Sequence, residues 1–391
     1  MYMKCKYYKK CSGCQLQNLE YDEQLRYKQK QVNTLLSKYG RVEKILAAEN
    51  TLHYRNKVQK MFFYDFKTKK IQSGIYQSAT RRVVPVPHCM IEDEAAQDIV
   101  NSITKLLRSF KIKAYEPRTG VGIMRHALVR TGFDSGEIMV VLVTVTPSFP
   151  SKANFVRALL REQPEITTIV HNVNPDGMNL TLGERSEVLY GRGYIEDTLC
   201  GCVFGISPSS FYQVNPAQTE RLYSTAIDYA DLTGSETLLD AYCGTGTIGI
   251  IAAKRAGQVL GVELNPDAVQ DAIHNARRNN LDNIRFECAD AGDFMRELAA
   301  NGEKPDVVML DPPRAGATVR FLKSLCKMKP QRIVYISCNP QTLSRDLQFI
   351  TTHGYRAEKI QPVDMFPFTK HIETVVLMSA RQLAICKGEK V

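Results

Sequence analysis

The sequence predicts an α/β protein over its C-terminal half, a parallel sheet with helices on both faces, joined to an α+β middle domain and a short Cys-rich N-terminal segment. Three observations carry this expectation. After about Ser207, apolar runs of strand length alternate with helical patterns at regular intervals, which is how repeated βα units read. A glycine-rich turn, Gly244-Thr245-Gly246, falls where the first of those strands passes into a helix. Cys5, Cys11 and Cys14 crowd a lysine-rich start unlike anything later in the chain. A length of 391 residues exceeds one ordinary core and fits two domains with a small appendage, placed at 1–40, 41–206 and 207–391.

Taken in order, residues 1 to about 18 form the Cys-rich segment. A polar helix is expected from Tyr21 to about Lys38, its apolar positions Leu25, Val32, Leu35 and Leu36 sharing a face and Gly40 ending it. From about Arg41 to Phe204 strands alternate with turns; Lys57–Phe63 and Ile138–Thr144 are the clearest strands, and Gly74, Gly120, Gly122, Gly132 and Gly136 punctuate the text. The C-terminal half then gives strands at Thr237–Tyr242, Val259–Leu264, Ile284–Cys288, Asp306–Leu310 and Arg332–Ser337, with a helix over 266–279. Two further runs, about 357–363 and 373–380, read as an antiparallel pair.

Composition narrows the class. Hydrophobic residues at 44% and charged residues at 24% are those of a soluble globular protein. No apolar run reaches membrane-spanning length and the start lacks a signal-peptide core, so the expectation is a cytoplasmic protein with no membrane partner. A net charge of +10 favours a polyanionic partner. The 11 cysteines, in a reducing compartment, are ligands, nucleophiles or core residues rather than disulfides. Cys200, Cys202, Cys288, Cys326 and Cys386 read as ordinary; Cys5, Cys11, Cys14, Cys89 and Cys338 do not.

The turn Asp240-Ala241-Tyr242-Cys243-Gly244-Thr245-Gly246-Thr247 reads as a nucleotide-cofactor loop. It is not G-x-G-x-x-G, and the acidic Asp240 suits a cationic or amino-bearing ligand better than a pyrophosphate. Glu263 ends the second strand, where an acid accepts hydrogen bonds from ribose hydroxyls; Asp290 ends the third, facing an adenine edge; Asp311 ends the fourth. Each acid alone is equally a helix N-cap, but all of them together with the glycine loop converge on a cofactor.

Two later motifs add reactive groups. Cys338, in Ser337-Cys338-Asn339-Pro340, lies between a strand and a helix, a position expected to lower its pKa and make it a nucleophile. Glu373, in His371-Ile372-Glu373-Thr374, is an acid entering a buried apolar strand, where a general base or an ion pair explains it; His371 either orients it or packs nearby. A thiol, a base and a nucleotide-type cofactor are what methylation of an unactivated pyrimidine carbon requires. A thiolate adding at carbon 6 of uracil makes carbon 5 nucleophilic, and the carbon-5 proton must then leave so that the thiol can be eliminated.

These motifs, with Asp311-Pro312-Pro313-Arg314-Ala315-Gly316 and Phe211-Tyr212-Gln213-Val214-Asn215, resemble those of the uracil-C5 RNA methyltransferase family, and most of the chain fits the comparison. The resemblance implies a class I, Rossmann-like S-adenosylmethionine methyltransferase domain with Cys338 as nucleophile and Glu373 as proton acceptor. It implies a cofactor site of Gln213, Tyr242, Glu263 and Asp311, with Asp290 matched more loosely. The spacing C-x5-C-x2-C plus distant Cys89 suits zinc or an iron–sulfur cluster equally, and it is not the C-x3-C-x2-C triplet of radical enzymes. Resemblance to the ribosomal-RNA branch implies a 4Fe-4S cluster, with zinc as the alternative, and 23S ribosomal RNA as the partner of a monomeric enzyme. Transfer-RNA methylation and a non-catalytic RNA-binding or RNA-folding factor are the alternatives. Many members begin with an added β-barrel that grips RNA; with the cysteines starting at residue 5, no such barrel is expected here. Lys4, Lys6, Tyr7, Tyr8, Lys9 and Lys10, and in the middle domain Arg81, Arg82, Arg118, Arg125 and Arg130, are expected to face RNA instead.

Overall fold

A computed structural model describes residues 5–77, 80, 82–175 and 182–381. Lys4, Arg81 and Cys386, all considered above, lie outside the described residues. The chain divides into two compact units, the first comprising Met1–Gln24, Ala48–Thr219 and Phe366–Lys370, the second Leu25–Ala47, Glu220–Met365 and His371–Val391.

The first unit opens with the short α1 (Tyr8–Cys11) and the start of α2 (Tyr21–Leu36). It continues with β1 (Lys57–Asp65), β2 (Lys70–Tyr76), β3 (Val83–Pro85), α3 (Glu94–Ser109), β4 (Met124–Thr131), β5 (Ile138–Thr144), α4 (Lys152–Glu162), β6 (Ile166–Val173) and β7 (Arg185–Tyr190). The strands form one sheet in the order β3-β2-β1-β4-β5-β6-β7. Neighbours run antiparallel except β5 and β6, which are parallel because α4 carries the chain back between them. A hairpin of β8 (Ile195–Leu199) and β9 (Cys202–Ile206) follows. The core forms where the apolar stripe of α3 (Ile99, Val100, Ile103, Leu106, Leu107) meets Val58, Ala127, Val129, Val140 and Leu142 of the sheet. Asp93 starts α3 by accepting the Ala96 N–H at 2.9 Å.

The second unit takes up α5 (Pro216–Ala230) from Glu220 and alternates strand and helix thereafter. It runs β10 (Thr237–Ala241), α6 (Thr247–Ala253), β11 (Gln258–Glu263), α7 (Pro266–Arg278), β12 (Ile284–Cys288), α8 (Ala291–Ala300), β13 (Val307–Leu310), α9 (Val319–Met328), β14 (Arg332–Ser337) and α10 (Pro340–Thr352). The closing pair is β15 (Tyr355–Val363) and β16 (Glu373–Ala380). The sheet order is β12-β11-β10-β13-β14-β16-β15, parallel from β12 to β14, with β16 inserted antiparallel between β14 and β15. The order reverses between β10 and β13, the point in such sheets where ligands meet the strand carboxyl ends. The central strands β10, β13 and β14 are apolar and buried along nearly their whole length, as strands covered on both faces must be.

The expected 1–40 segment is divided by the fold. From Leu25 onward it belongs with the second unit, because Val32 and Leu36 enter the same core as Leu239, Ile333 and Ile360. Within that unit the buried Lys28 ammonium meets the equally buried Asp364 carboxylate at 2.5 Å. A lone charge there would be costly, so each group requires the other.

Candidate active site

At the carboxyl end of β10 the backbone turns through Tyr242 (φ 64°), Gly244 (φ 55°) and Gly246 (φ 80°). Gly246 has a second reason to lack a side chain, since a Cβ there would stand 2.9 Å from the Phe286 ring and 3.0 Å from the Ala272 methyl. The Tyr242 ring packs against Phe321, centroids 5.3 Å apart. A left-handed tyrosine is uncommon and is held here by that packing and by the tight loop around it.

The acids at the strand ends do different things. Glu263 braces the loop, its carboxylate accepting the N–H groups of Gly244 (3.1 Å), Leu264 (2.8 Å) and Asn265 (2.9 Å). Asp290 caps α8, one oxygen accepting from Gly292 and Asp293 at 3.0 and 3.1 Å. The N-cap alternative is therefore realised at Asp290. Asp240 is wholly buried; one oxygen accepts the Gly249 N–H at 2.8 Å and the other has no partner. Burial pushes its carboxyl up to about 7, aided by Asp311 and Glu263. Burial alone pushes Asp311 up to about 7.

These two shifts make a sign-defined expectation. A carboxyl whose folded pKa exceeds its unfolded value binds more protons folded than unfolded, so its contribution to stability is full below about 4 and lost as pH rises through about 7. The thermal midpoint of the ligand-free protein should fall across that window, and Asp240→Asn with Asp311→Asn should flatten the fall. An unchanged pH slope in the double variant would exclude these groups as its source.

The loop after β13 is clamped from α10. The Ala317 N–H donates to Asp346 (2.8 Å), the Arg345 guanidinium donates to the Ala315 and Ala317 carbonyls, and Asn339 Nδ2 donates to the Arg314 carbonyl at 3.1 Å. Gly316 (φ 81°) is required there, because a Cβ would collide with Arg345 and Asp346. Asn339 also caps α10, accepting the Gln341 N–H. The loop thus presents Arg314, whose Nη2 lies 3.0 Å from His371 Nδ1.

Cys338 and Glu373 come together through strand register. β14 and β16 pair antiparallel with Ser337 opposite Thr374, which brings Cys338, one residue past β14, and Glu373, the first residue of β16, to adjoining strand ends. Glu373 is 4% exposed and, among the described residues, forms no ion pair at contact distance, although the Arg314 charge acts on it. Burial and then Asp311 raise its carboxyl well above the ordinary range, with Arg314 opposing. The lowered thiol pKa expected for Cys338 is not found. Burial, then Glu373 and Asp311, push it up to about 11, against Arg314. Two carboxyl groups and partial desolvation outweigh the helix N-terminus.

The remaining expected residues lie in the first unit. Gln213 sits just before α5, its carbonyl accepting from Asn56 Nδ2 at 3.3 Å; its cofactor assignment rests on the resemblance. Cys5, Cys11, Cys14 and Cys89 are all half-buried and free. Among the described residues, however, no group of three or more His, Cys, Asp or Glu side chains is disposed to hold a metal ion, so the expected four-cysteine site is not met as a ligand set. The thiols still sense one another. Burial, then Cys89, Cys11 and Cys5, push Cys14 up to about 12; burial and then Glu92 push Cys89 up to about 12. Uncharged thiols gain more from packing beside Tyr54, Ile91 and Phe368, as Cys14 and Cys89 do, than from converging. Arg125 and Arg130, expected to be facing RNA, are buried at 7% and 0% exposure.

A Rossmann-like sheet with this strand order, a glycine loop at its switch point and a thiol–carboxylate pair beside it defines a class I methyltransferase. The family described as tRNA (uracil-5-)-methyltransferase matches residues 183–381. An uncharacterized RNA methyltransferase of Halalkalibacterium halodurans is 41% identical over 382 residues, 96% of this chain and 83% of that protein. One from Listeria innocua is 42% identical over 381 residues, with the same shares. Among solved structures, the Pyrococcus abyssi tRNA (uracil-54, C5)-methyltransferase in complex with S-adenosyl-L-homocysteine is similar at TM-score 0.79 and 29% identity, over 94% of this chain and 86% of that one. The chain belongs to the RNA uracil-C5 methyltransferase family and is an RNA methyltransferase.

Proposed function

We propose that the protein methylates carbon 5 of a uridine in 23S ribosomal RNA, with S-adenosylmethionine as methyl donor and a covalent Cys338–uracil adduct as intermediate. The β14–β16 register, which brings a thiol and a buried carboxyl to adjoining strand ends, is the observation that carries this reading. S-adenosylmethionine supplies an electrophilic methyl group. Tyr242, Glu263 and Asp311 are its holders at the strand ends, with Asp290 beside them and Gln213 added by resemblance.

The residues then divide the work. Cys338 gives its proton to solvent and its sulfur bonds to carbon 6 of the uracil, breaking the carbon-5–carbon-6 π bond and moving that electron pair onto carbon 5 and the carbon-4 carbonyl. Carbon 5 takes the methyl group. Glu373, ionised at that stage, removes the carbon-5 proton, and the Cys338–carbon-6 bond breaks to restore the aromatic-like ring and the thiolate. Arg314, which opposes the carboxyl groups at both Cys338 and Glu373, favours their ionised forms and is itself oriented by His371. The target base reaches such a cleft by leaving its stack.

The net charge of +10 supports a nucleic-acid substrate. Transfer RNA is the second reading, favoured by the family's description and by the name of the Pyrococcus abyssi protein. Mass mapping of 23S ribosomal RNA and transfer RNA from cells with and without the gene separates them: 5-methyluridine lost from 23S RNA alone supports the proposal, and lost from transfer RNA alone it overturns the choice. Loss from neither favours a non-catalytic RNA-binding factor. A cytoplasmic monomer remains the expectation; among the described residues no helix is long and apolar enough to cross a membrane.

We also propose that Cys5, Cys11, Cys14 and Cys89 hold a 4Fe-4S cluster. A cluster spans a wider gap between thiolates than a single zinc ion does, which suits thiols that influence one another without converging. Protein purified without oxygen should be brown with about four irons per chain, and Cys11→Ser or Cys14→Ser should lose the iron. Colourless protein with one zinc would replace iron with zinc, and protein with neither metal would end the proposal.

A further inference from the structure

The sheet of the first unit contains a pair of cations that the fold does not explain. Lys57 of β1 and Arg130 of β4 are direct cross-strand partners. Like charges in that relation repel and are destabilising. Arg130 is 0% exposed; its Nη2 donates to the Ser210 carbonyl at 3.0 Å, while Nε and Nη1 are buried with no partner. Arg55, two residues before β1, is half-buried and adds a third positive charge that Lys57 feels. Among the described residues no carboxylate acts on Lys57 or Arg130: the charged groups acting on Lys57 are Arg130 and Arg55, and the one acting on Arg130 is the Tyr212 phenol. Burial first, then those two arginines, hold the Lys57 ammonium down at about 8, and burial holds Arg130 down at about 10.

Buried charge is retained in a fold where something pairs with it. Lys57 and Arg55 are part-exposed and can donate to the oxygens of a phosphate, and the buried Arg130 charge across the strand pair adds attraction without a direct hydrogen bond. We propose that Lys57 and Arg130, with Arg55 alongside, form a binding site for one backbone phosphate of the RNA substrate. The identification of the phosphate as a phosphodiester rests on the RNA methyltransferase reading; the anion site itself rests on the cations. The site fixes the position of the strand and carries no base sequence, as phosphate contacts do.

Arg130→Met and Lys57→Met in the full chain test this through three measurements. Binding of the substrate RNA should weaken about tenfold in each, with the slope of log affinity against log salt shallower by about 1, while S-adenosylhomocysteine affinity stays within twofold. Inorganic phosphate should raise the thermal midpoint of the wild type and not of either variant. Without ligand, Arg130→Met should melt no lower than the wild type, since it removes an uncompensated charge; if it fails to fold, the half-exposed Lys57→Met decides alone. Unchanged RNA affinity and slope in variants of a wild type that binds RNA overturn the assignment to RNA, and phosphate stabilisation in that case marks a site for free phosphate instead. A wild type that binds no RNA but is stabilised by phosphate through these residues keeps the anion site and removes the RNA reading. No response to either ligand overturns both.

Discussion

Cys338→Ala should abolish methyl transfer, by on the order of a thousandfold or more, while leaving S-adenosylhomocysteine affinity nearly unchanged. The expectation follows from the chemistry of the ring. Without sulfur at carbon 6, carbon 5 has no enolate character, and Cys243, in the glycine loop, is unsuited to take that place, being buried at 5% exposure and held well above its ordinary pKa by burial, then Asp240 and Glu263. Cys338 is itself poorly ionised in the ligand-free protein, its pKa near 11. Adduct formation should accordingly accelerate as pH rises, because the thiolate fraction grows toward that value. A cationic methyl donor near Asp311 would offset the carboxyl groups that now raise the thiol. Residual transfer above a few per cent of wild type in a radiolabelled-methyl assay would remove Cys338 from the mechanism.

Glu373→Gln should do the opposite to the intermediate: the adduct forms and methyl transfer proceeds, but resolution slows by roughly a hundredfold to ten-thousandfold, the usual worth of a general base. Glutamine keeps the volume and cannot take the carbon-5 proton. A protein–RNA band should therefore survive denaturing electrophoresis and vanish in the Cys338→Ala, Glu373→Gln double variant. The same pKa shift predicts that folding is kept. Because the buried carboxyl is raised above its unfolded value, its stabilising contribution is present at low pH and lost as pH rises, so a neutral glutamine should not melt lower than wild type near neutrality. Absence of a trapped band with normal methyl transfer would take the base role away from Glu373.

The C-terminal sheet was legible because each of its strands is a short apolar run bounded by chemistry that ends it. Strands expected at Ile284–Cys288 and Arg332–Ser337 have those bounds in the structure; Thr237–Tyr242 and Asp306–Leu310 are off by one residue at one end, and Val259–Leu264 by one residue at both. The middle domain was less legible. Its apolar runs suggested strands and turns, while α3, a sixteen-residue helix with a clear apolar stripe at Ile99, Val100, Ile103, Leu106 and Leu107 and an Asp93 cap, went unread despite carrying both signals. The arginines at 125 and 130 looked like surface charge because burial of a cation is not something a local pattern reports.

By itself the sequence determined the alternating architecture, the glycine turn, the reactive residue types and the family, since each depends on neighbours within a few positions of the chain. Tertiary structure decided the rest. Insertion of β16 antiparallel against β14 brought residues 338 and 373, thirty-five positions apart in the chain, to adjoining strand ends where the Glu373 charge is felt by the Cys338 thiol. Burial beside Glu373 and Asp311 reversed the sign of the thiol shift that a helix N-terminus alone would give. Pairing of β1 with β4 set Lys57 against Arg130. Pairing register, desolvation and the sum of distant charges are properties of a packed chain, and no window of sequence contains them.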